Sequence, residues 1–174
     1  FYNCALAGGD LVSSKGPVSI SITIFGSLAD NNILLRSNAQ VGGDIWVSGT
    51  IGDAGVAFMV LRDSIKLKSN FPKSYRYYLE GRLRSPTPRL NLGEKLVSFA
   101  SSACDVSDGL LSDLSNICSA SGLGANISSK LIPISLEVKR VLKEVETISI
   151  MDLISAGDDY ELIFTSNIKH SERI

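Results

Sequence analysis

Histidine is almost absent from this chain: His170 is the only one in 174 residues. Cysteine is scarce too, and Cys4, Cys104 and Cys118 form an odd set without a C-x-x-C pair. Zinc centres need clustered Cys and His, and disulfide frameworks need paired cysteines, so neither organises this fold. The thiols read instead as small apolar residues of a protein in the reducing cytoplasm. No apolar run approaches the roughly 20 residues that cross a bilayer, and no signal-peptide pattern opens the chain. No membrane partner is expected. An excess of one charge is missing as well: 17 Lys and Arg face 18 Asp and Glu, for a net charge of −1. Nucleic acid as a partner therefore has no global basic field to support it. Two familiar phosphate-binding signatures, G-x-G-x-x-G and the lysine-ended P-loop, do not occur either.

What remains is an ordinary globular composition, 44% hydrophobic and 20% charged. Because Phe1 rather than Met opens the chain, close ahead of a candidate site loop, a fragment of a longer protein is expected.

The most informative stretch is Cys104-Asp105-Val106-Ser107-Asp108-Gly109-Leu110. Two carboxylates and a hydroxyl fall within four residues, ahead of a segment with Leu110, Leu111, Leu114, Ile117 and Cys118 at helical offsets. Ser107 or Asp108 is in place to cap that helix, and Gly122 and Gly124 are in place to end it. A strand ending near Asp105 would bring both carboxylates beside a helix start. Hard cations take several carboxylate oxygens, and helix starts attract anions, so a metal-bridged phosphate suits the pattern. An ordinary cap and turn suit it equally well.

Earlier in the chain, Gly8-Gly9-Asp10 follows a short strand-like run and reads either as a close phosphate approach or as a tight turn. Residues 18–25 alternate Val18, Ile20, Ile22 and Ile24 with Ser19, Ser21 and Thr23, which predicts a strand with one polar face. Arg36 ends an apolar run, where a guanidinium could meet phosphate or simply water. Ile45–Ser48 reads as a strand, and Gly49–Asp53 as a turn into a helix through Ala54, Ala57, Phe58, Leu61 and Ile65. The basic and aromatic stretch from Lys66 to Arg89 reads as a solvated helix face. Leu92–Ser102 reads as a helix, Ala125–Ser128 as a short strand, and the segment with Val138, Val141, Leu142 and Val145 as an amphipathic helix. Gly157-Asp158-Asp159-Tyr160-Glu161-Leu162 closes the series, with Asp158 and Asp159 expected at the mouth of a buried strand.

In this order and spacing the pieces resemble the aminoimidazole-ribonucleotide-synthetase superfamily and, within it, the thiamine-monophosphate kinases. The matching stretches are Gly8-Gly9-Asp10, Arg36-Ser37-Asn38-Ala39, Ile45–Ala54, Pro86-x-Pro88-Arg89, Asp105–Leu110 and Gly157–Leu162. The resemblance implies an α/β (α+β) fold. Residues 1–36 would end a first, ATP-binding sheet domain, and residues 37–174 would form most of a layered α/β domain. It implies Mg²⁺-dependent transfer of the γ-phosphoryl of ATP to thiamine monophosphate, giving thiamine diphosphate, with several Mg²⁺ ions. Asp10, Asp105 and Asp108 would hold metal, Gly9, Asp10, Arg36 and Ser107 would contact ATP, and Asp158 would contact the thiamine substrate. Asp158 stands where many members carry Glu. No residue is assigned as acid, base or nucleophile. A homodimer formed through the first domain is implied, with this fragment alone inactive. The alternatives are a sibling ATP-dependent enzyme (selenophosphate synthetase, hydrogenase-maturation or purine-synthesis type) or a non-catalytic nucleotide- or metal-binding module.

Overall fold

The computed structural model describes residues 4–28 and 33–174. They divide into two units, Phe1–Asn31 and Asn32–Ile174.

In the first unit the described residues carry no helix or strand, and all of them are exposed. The strand expected over residues 18–25 is therefore not formed. An alternating sequence supplies one apolar face, but a strand exists only through hydrogen bonds to a neighbour, and no described strand pairs with this one.

The second unit is a mixed α/β domain. In chain order it contains β1 (Asp44–Val47), α1 (Asp53–Leu61), α2 (Lys73–Arg84), α3 (Leu90–Leu96), β2 (Ala100–Val106), α4 (Leu110–Ser121), α5 (Leu136–Glu144), α6 (Ile150–Ile154) and β3 (Glu161–Ser166). The strands form one antiparallel sheet in the order β1-β3-β2. Val47 pairs with Ile163, and Val106 pairs with Glu161. The loops that leave β1 and β2 thus meet the turn that enters β3 at one end of the sheet.

Two apolar clusters hold the elements. One gathers Ile51, Val106, Leu110, Leu114, Ile117 and Ile163, placing α4 on the sheet. The other gathers Val56, Phe71, Leu79, Val138, Val141 and Leu153, joining α1, α2, α5 and α6. α5 follows its sequence pattern: Val138 and Val141 are fully buried, and the Ser135 hydroxyl caps it by accepting the Val138 N–H at 3.1 Å.

The expected helix over 92–102 is shorter. It stops at Leu96, and residues 100–106 join β3 instead. Leu92, Leu96 and Phe99 match helical spacing, but pairing along a central strand outweighs that local preference. Residues 125–128 form no strand.

Candidate functional site

Alternation along β2 creates the first half of the site. Ser102, Cys104 and Val106 point inward, so Asp105 points out to solvent. The next residues form the loop into α4, and its support differs from the expected cap. Neither Ser107 nor Asp108 caps α4. Gly109 holds the N-cap position, and the buried Asp113 accepts the N–H groups of Ser107 and Asp108, both at 3.0 Å. One inward carboxylate therefore fixes the loop, and the side chain of Asp108 stays exposed.

Arg36 reaches the same place. The Ser121 hydroxyl at the end of α4 donates to the Arg36 carbonyl at 2.9 Å and accepts the Ala39 N–H at 3.2 Å. Pinned in this way, the Arg36 guanidinium lies 3.9 Å from Asp105 Oδ1, with both side chains about half exposed. A pair this open contributes little stability and leaves both groups available to a ligand. Gly9 and Asp10 belong to the first unit. Both are exposed, and Asp10 Oδ1 accepts the Leu11 N–H at 2.8 Å.

The turn 157–160 supplies the second half. The Asp158 N–H donates to the Ser107 carbonyl at 2.9 Å, and the Tyr160 N–H to the Val106 carbonyl at 2.8 Å. Gly157 lets the two backbones meet, since a Cβ there would sit 2.2 Å from the Ser107 oxygen. Asp158 and Tyr160 both adopt left-handed backbone angles, φ 69° and 50°. Such conformations cost about 1–3 kcal/mol each and persist only when neighbours hold them. Asp158 is exposed, at the rim of an open groove of about 500 Å³ between α1 and α6, lined by Phe58, Met59, Met151 and Asp152.

Asp159 is not at the mouth of the strand. It is fully buried, and its carboxylate accepts the Gly52 N–H at 2.7 Å and the Ala54 N–H at 3.2 Å at the start of α1. Burial, with the charge of Asp53 nearby, pushes its pKa up to about 6, against the opposing pull of those two N–H groups and Arg82. Glu161 is fully buried beside it and meets Arg82 at 2.8 Å, Arg89, and the Ser48 hydroxyl. Burial alone would raise the Glu161 pKa. Its bonds to Arg89 and Ser48 and the charges of Arg89 and Arg82 outweigh burial and hold it below the usual carboxylate range. Asp53, also buried, accepts from the hydroxyls of Thr50, Ser135 and Tyr78. Burial chiefly pushes the Tyr78 phenol up, with Asp53 adding to it.

These buried groups were missed by reading the acidic run as solvent-facing. Arg82 and Arg89, expected on a solvated face, are also drawn in. For Glu161 the signal was present in the period of two: residues 161 and 163 share one strand face, and Ile163 is plainly apolar.

Among the described residues no three His, Cys, Asp or Glu side chains gather into a metal-holding cluster. Mg²⁺, however, commonly takes one or two carboxylates and completes its shell with water and substrate phosphate. The exposed Asp105 and Asp108 suit that mode.

A scan against protein-family models matches none. Comparison with curated proteins finds thiamine-monophosphate kinase of Buchnera aphidicola subsp. Acyrthosiphon pisum, 36% identical over 174 residues, 99% of this chain and 51% of that relative. Among solved structures, thiamine-monophosphate kinase from Stenotrophomonas maltophilia K279a matches at TM-score 0.74 and 37% identity, covering 84% of this chain and 46% of that one. AaThiL complexed with AMPPCP and TMP matches at TM-score 0.68 and 27% identity, covering 78% of this chain and 43% of that one. The architecture is thus the mixed α/β fold of the aminoimidazole-ribonucleotide-synthetase-like proteins. Within that class the chain belongs to the thiamine-monophosphate kinase family, and it spans about half the length of the curated relatives it matches.

Proposed function

We propose that the chain forms part of a kinase that transfers the γ-phosphoryl group of ATP to the phosphate of thiamine monophosphate, giving thiamine diphosphate. One observation carries this reading: the two exposed carboxylate loops are joined backbone to backbone, Asp158 N–H to Ser107 carbonyl at 2.9 Å, in a chain of this family. Arg36, half exposed beside Asp105, meets a nucleotide phosphate as a fixed bidentate donor. The Ser107 hydroxyl adds a neutral hydrogen bond to it. Asp105 and Asp108 would hold Mg²⁺; the resemblance assigns Asp10, in the first unit, to both metal and nucleotide and Gly9 to nucleotide. Bound Mg²⁺ would supply neutralisation of charge on the transferring phosphoryl group. Asp158 orients the thiamine substrate at the rim of the groove. No side chain needs to act as a nucleophile, because the acceptor phosphate is one, and positioning with electrostatic stabilisation accounts for the chemistry.

The same proposal includes residues 1–36 as the end of a first domain and residues 37–174 as part of a second. It also includes a cytoplasmic homodimer. Among the described residues no helix is long and apolar enough to cross a membrane.

The test is product analysis with the full-length protein, MgATP and either thiamine monophosphate or thiamine. Thiamine diphosphate should form from the first, while free thiamine stays nearly untouched. Equal use of thiamine, or ATP consumption only with an unrelated acceptor, would reject the assignment.

A further inference from the structure

The turn 157–160 is held from two sides. On one side its backbone bonds to the carbonyls of Val106 and Ser107, which belong to the proposed phosphate loop. On the other, the Asp159 side chain crosses to the start of α1 and takes two of its N–H groups, those of Gly52 and Ala54. The Asp159 carbonyl accepts from Arg82 Nη2 at 3.0 Å, which links the turn to the Arg82–Glu161 pair beneath it. Gly52 itself has a left-handed φ of 89°, and that backbone presents its N–H toward Asp159. Asp158 and Tyr160, on either side of Asp159, have the two left-handed angles of the turn.

We infer that Asp159 is a positioning residue: by clamping the turn to the start of α1, it fixes the placement of the Asp158 carboxylate relative to the Asp105–Asp108 loop. The inference rests on the reading that Asp158 faces the acceptor and the Asp105–Asp108 loop faces the nucleotide. Direct phosphoryl transfer requires the two substrates to be aligned, and a misplacement of about 1 Å can cost about 10²-fold in rate. Asp159 touches neither substrate and acts only through the turn it holds.

The test is Asp159→Asn, which keeps the shape but offers one acceptor oxygen and an amide donor where two N–H groups converge. In the full-length protein the KM for thiamine monophosphate should rise tenfold or more and kcat per folded molecule should fall, while the KM for ATP stays within twofold. A purely structural role would reduce the folded fraction and leave both KM values unchanged, and that result overturns the inference. Asp159→Glu, which keeps the charge but lengthens the arm, should show the same split and serves where the Asn variant does not fold.

Amide hydrogen exchange on the 174-residue chain provides a readout independent of activity. In the variants the amides of Asp158 and Tyr160 should exchange at least tenfold faster, with those of residues 163–165 unchanged. Unaltered rates at Asp158 and Tyr160 overturn the inference. If the wild-type enzyme makes no thiamine diphosphate, the proposed function falls, and the amide rates alone decide the clamp.

Discussion

The two acidic loops of the site are built on one plan from different sequence orders. In the loop 104–109 the exposed acids, Asp105 and Asp108, come first, and the buried acid that holds their loop, Asp113, lies inside the following helix. In the turn 157–161 the exposed Asp158 comes directly before its buried supports, Asp159 and Glu161. Each loop therefore mounts an outward carboxylate on an inward one. An inward acid must find N–H or guanidinium partners to offset its lost hydration, so it becomes a fastener. An outward acid retains water and free lone pairs, so it can exchange them for a ligand. Acid content alone does not separate the two roles.

The largest effect is expected where a fastener is neutralised. Glu161→Gln leaves Arg82 and Arg89 facing an uncharged amide in a buried site, and breaking such pairs typically costs about 3–5 kcal/mol. Asp158→Asn, at an exposed position, should change stability by no more than about 0.5 kcal/mol. Urea unfolding of both variants compares them directly, and equal losses would break the distinction.

The second expectation concerns pH. The pKa of Asp159 is raised in the fold from 3.8 to about 6, so the folded state holds its proton more tightly than the unfolded chain does. Its contribution to stability is therefore fully present below the unfolded value and is lost as pH rises toward 6, by up to about 3 kcal/mol in total. Glu161 has the opposite sign and a lower window: its contribution is present above the ordinary glutamate value and is lost as pH falls through its depressed pKa. Unfolding midpoints at steps between pH 4 and 7 should show the Asp159 slope in the wild type and a flatter line in Asp159→Asn. Matching slopes in the two proteins would remove Asp159 from the account.

The smallest effect belongs to Ser107→Ala. It removes the neutral hydrogen bond proposed to nucleotide, worth about 0.5–1.5 kcal/mol in transition-state binding, and leaves the loop's N–H bonds to Asp113 intact. A loss in kcat/KM as large as that of an exposed-acid variant would move Ser107 out of this minor role.

The helical and strand periods carried much of this architecture before any coordinates. Leu110, Leu114 and Ile117 marked α4, Val138 and Val141 marked α5, and the apolar run from Leu162 marked β3. The exposure of Asp105, Asp108 and Asp158 was legible because each sits where an apolar pattern breaks into acids. Residues 18–25 have the alternation of a strand without a described partner to pair with, and alternation alone does not supply one. The cap of α4 was misassigned because capping preferences look to the residues before a helix. Asp113 instead reaches back from inside it. The buried Asp53, Asp159 and Glu161 were hidden because a charge in isolation reads as surface. Their cost is met by Gly52, Ala54, Arg82, Arg89 and Ser135, partners far away in sequence that only the fold brings near.

The division between outward and inward acids is tested most directly by one paired measurement, turnover and unfolding free energy of Asp105→Asn and Asp113→Asn in the full-length protein. Asp105→Asn should lose about 10²–10³ in kcat, the range for removing a group that stabilises developing charge, while its stability stays near wild type. Asp113→Asn should instead lose about 1.5–3 kcal/mol of stability, as expected for a charged acceptor of two N–H groups. Near wild-type turnover in Asp105→Asn, or equal destabilisation by both substitutions, would contradict the account.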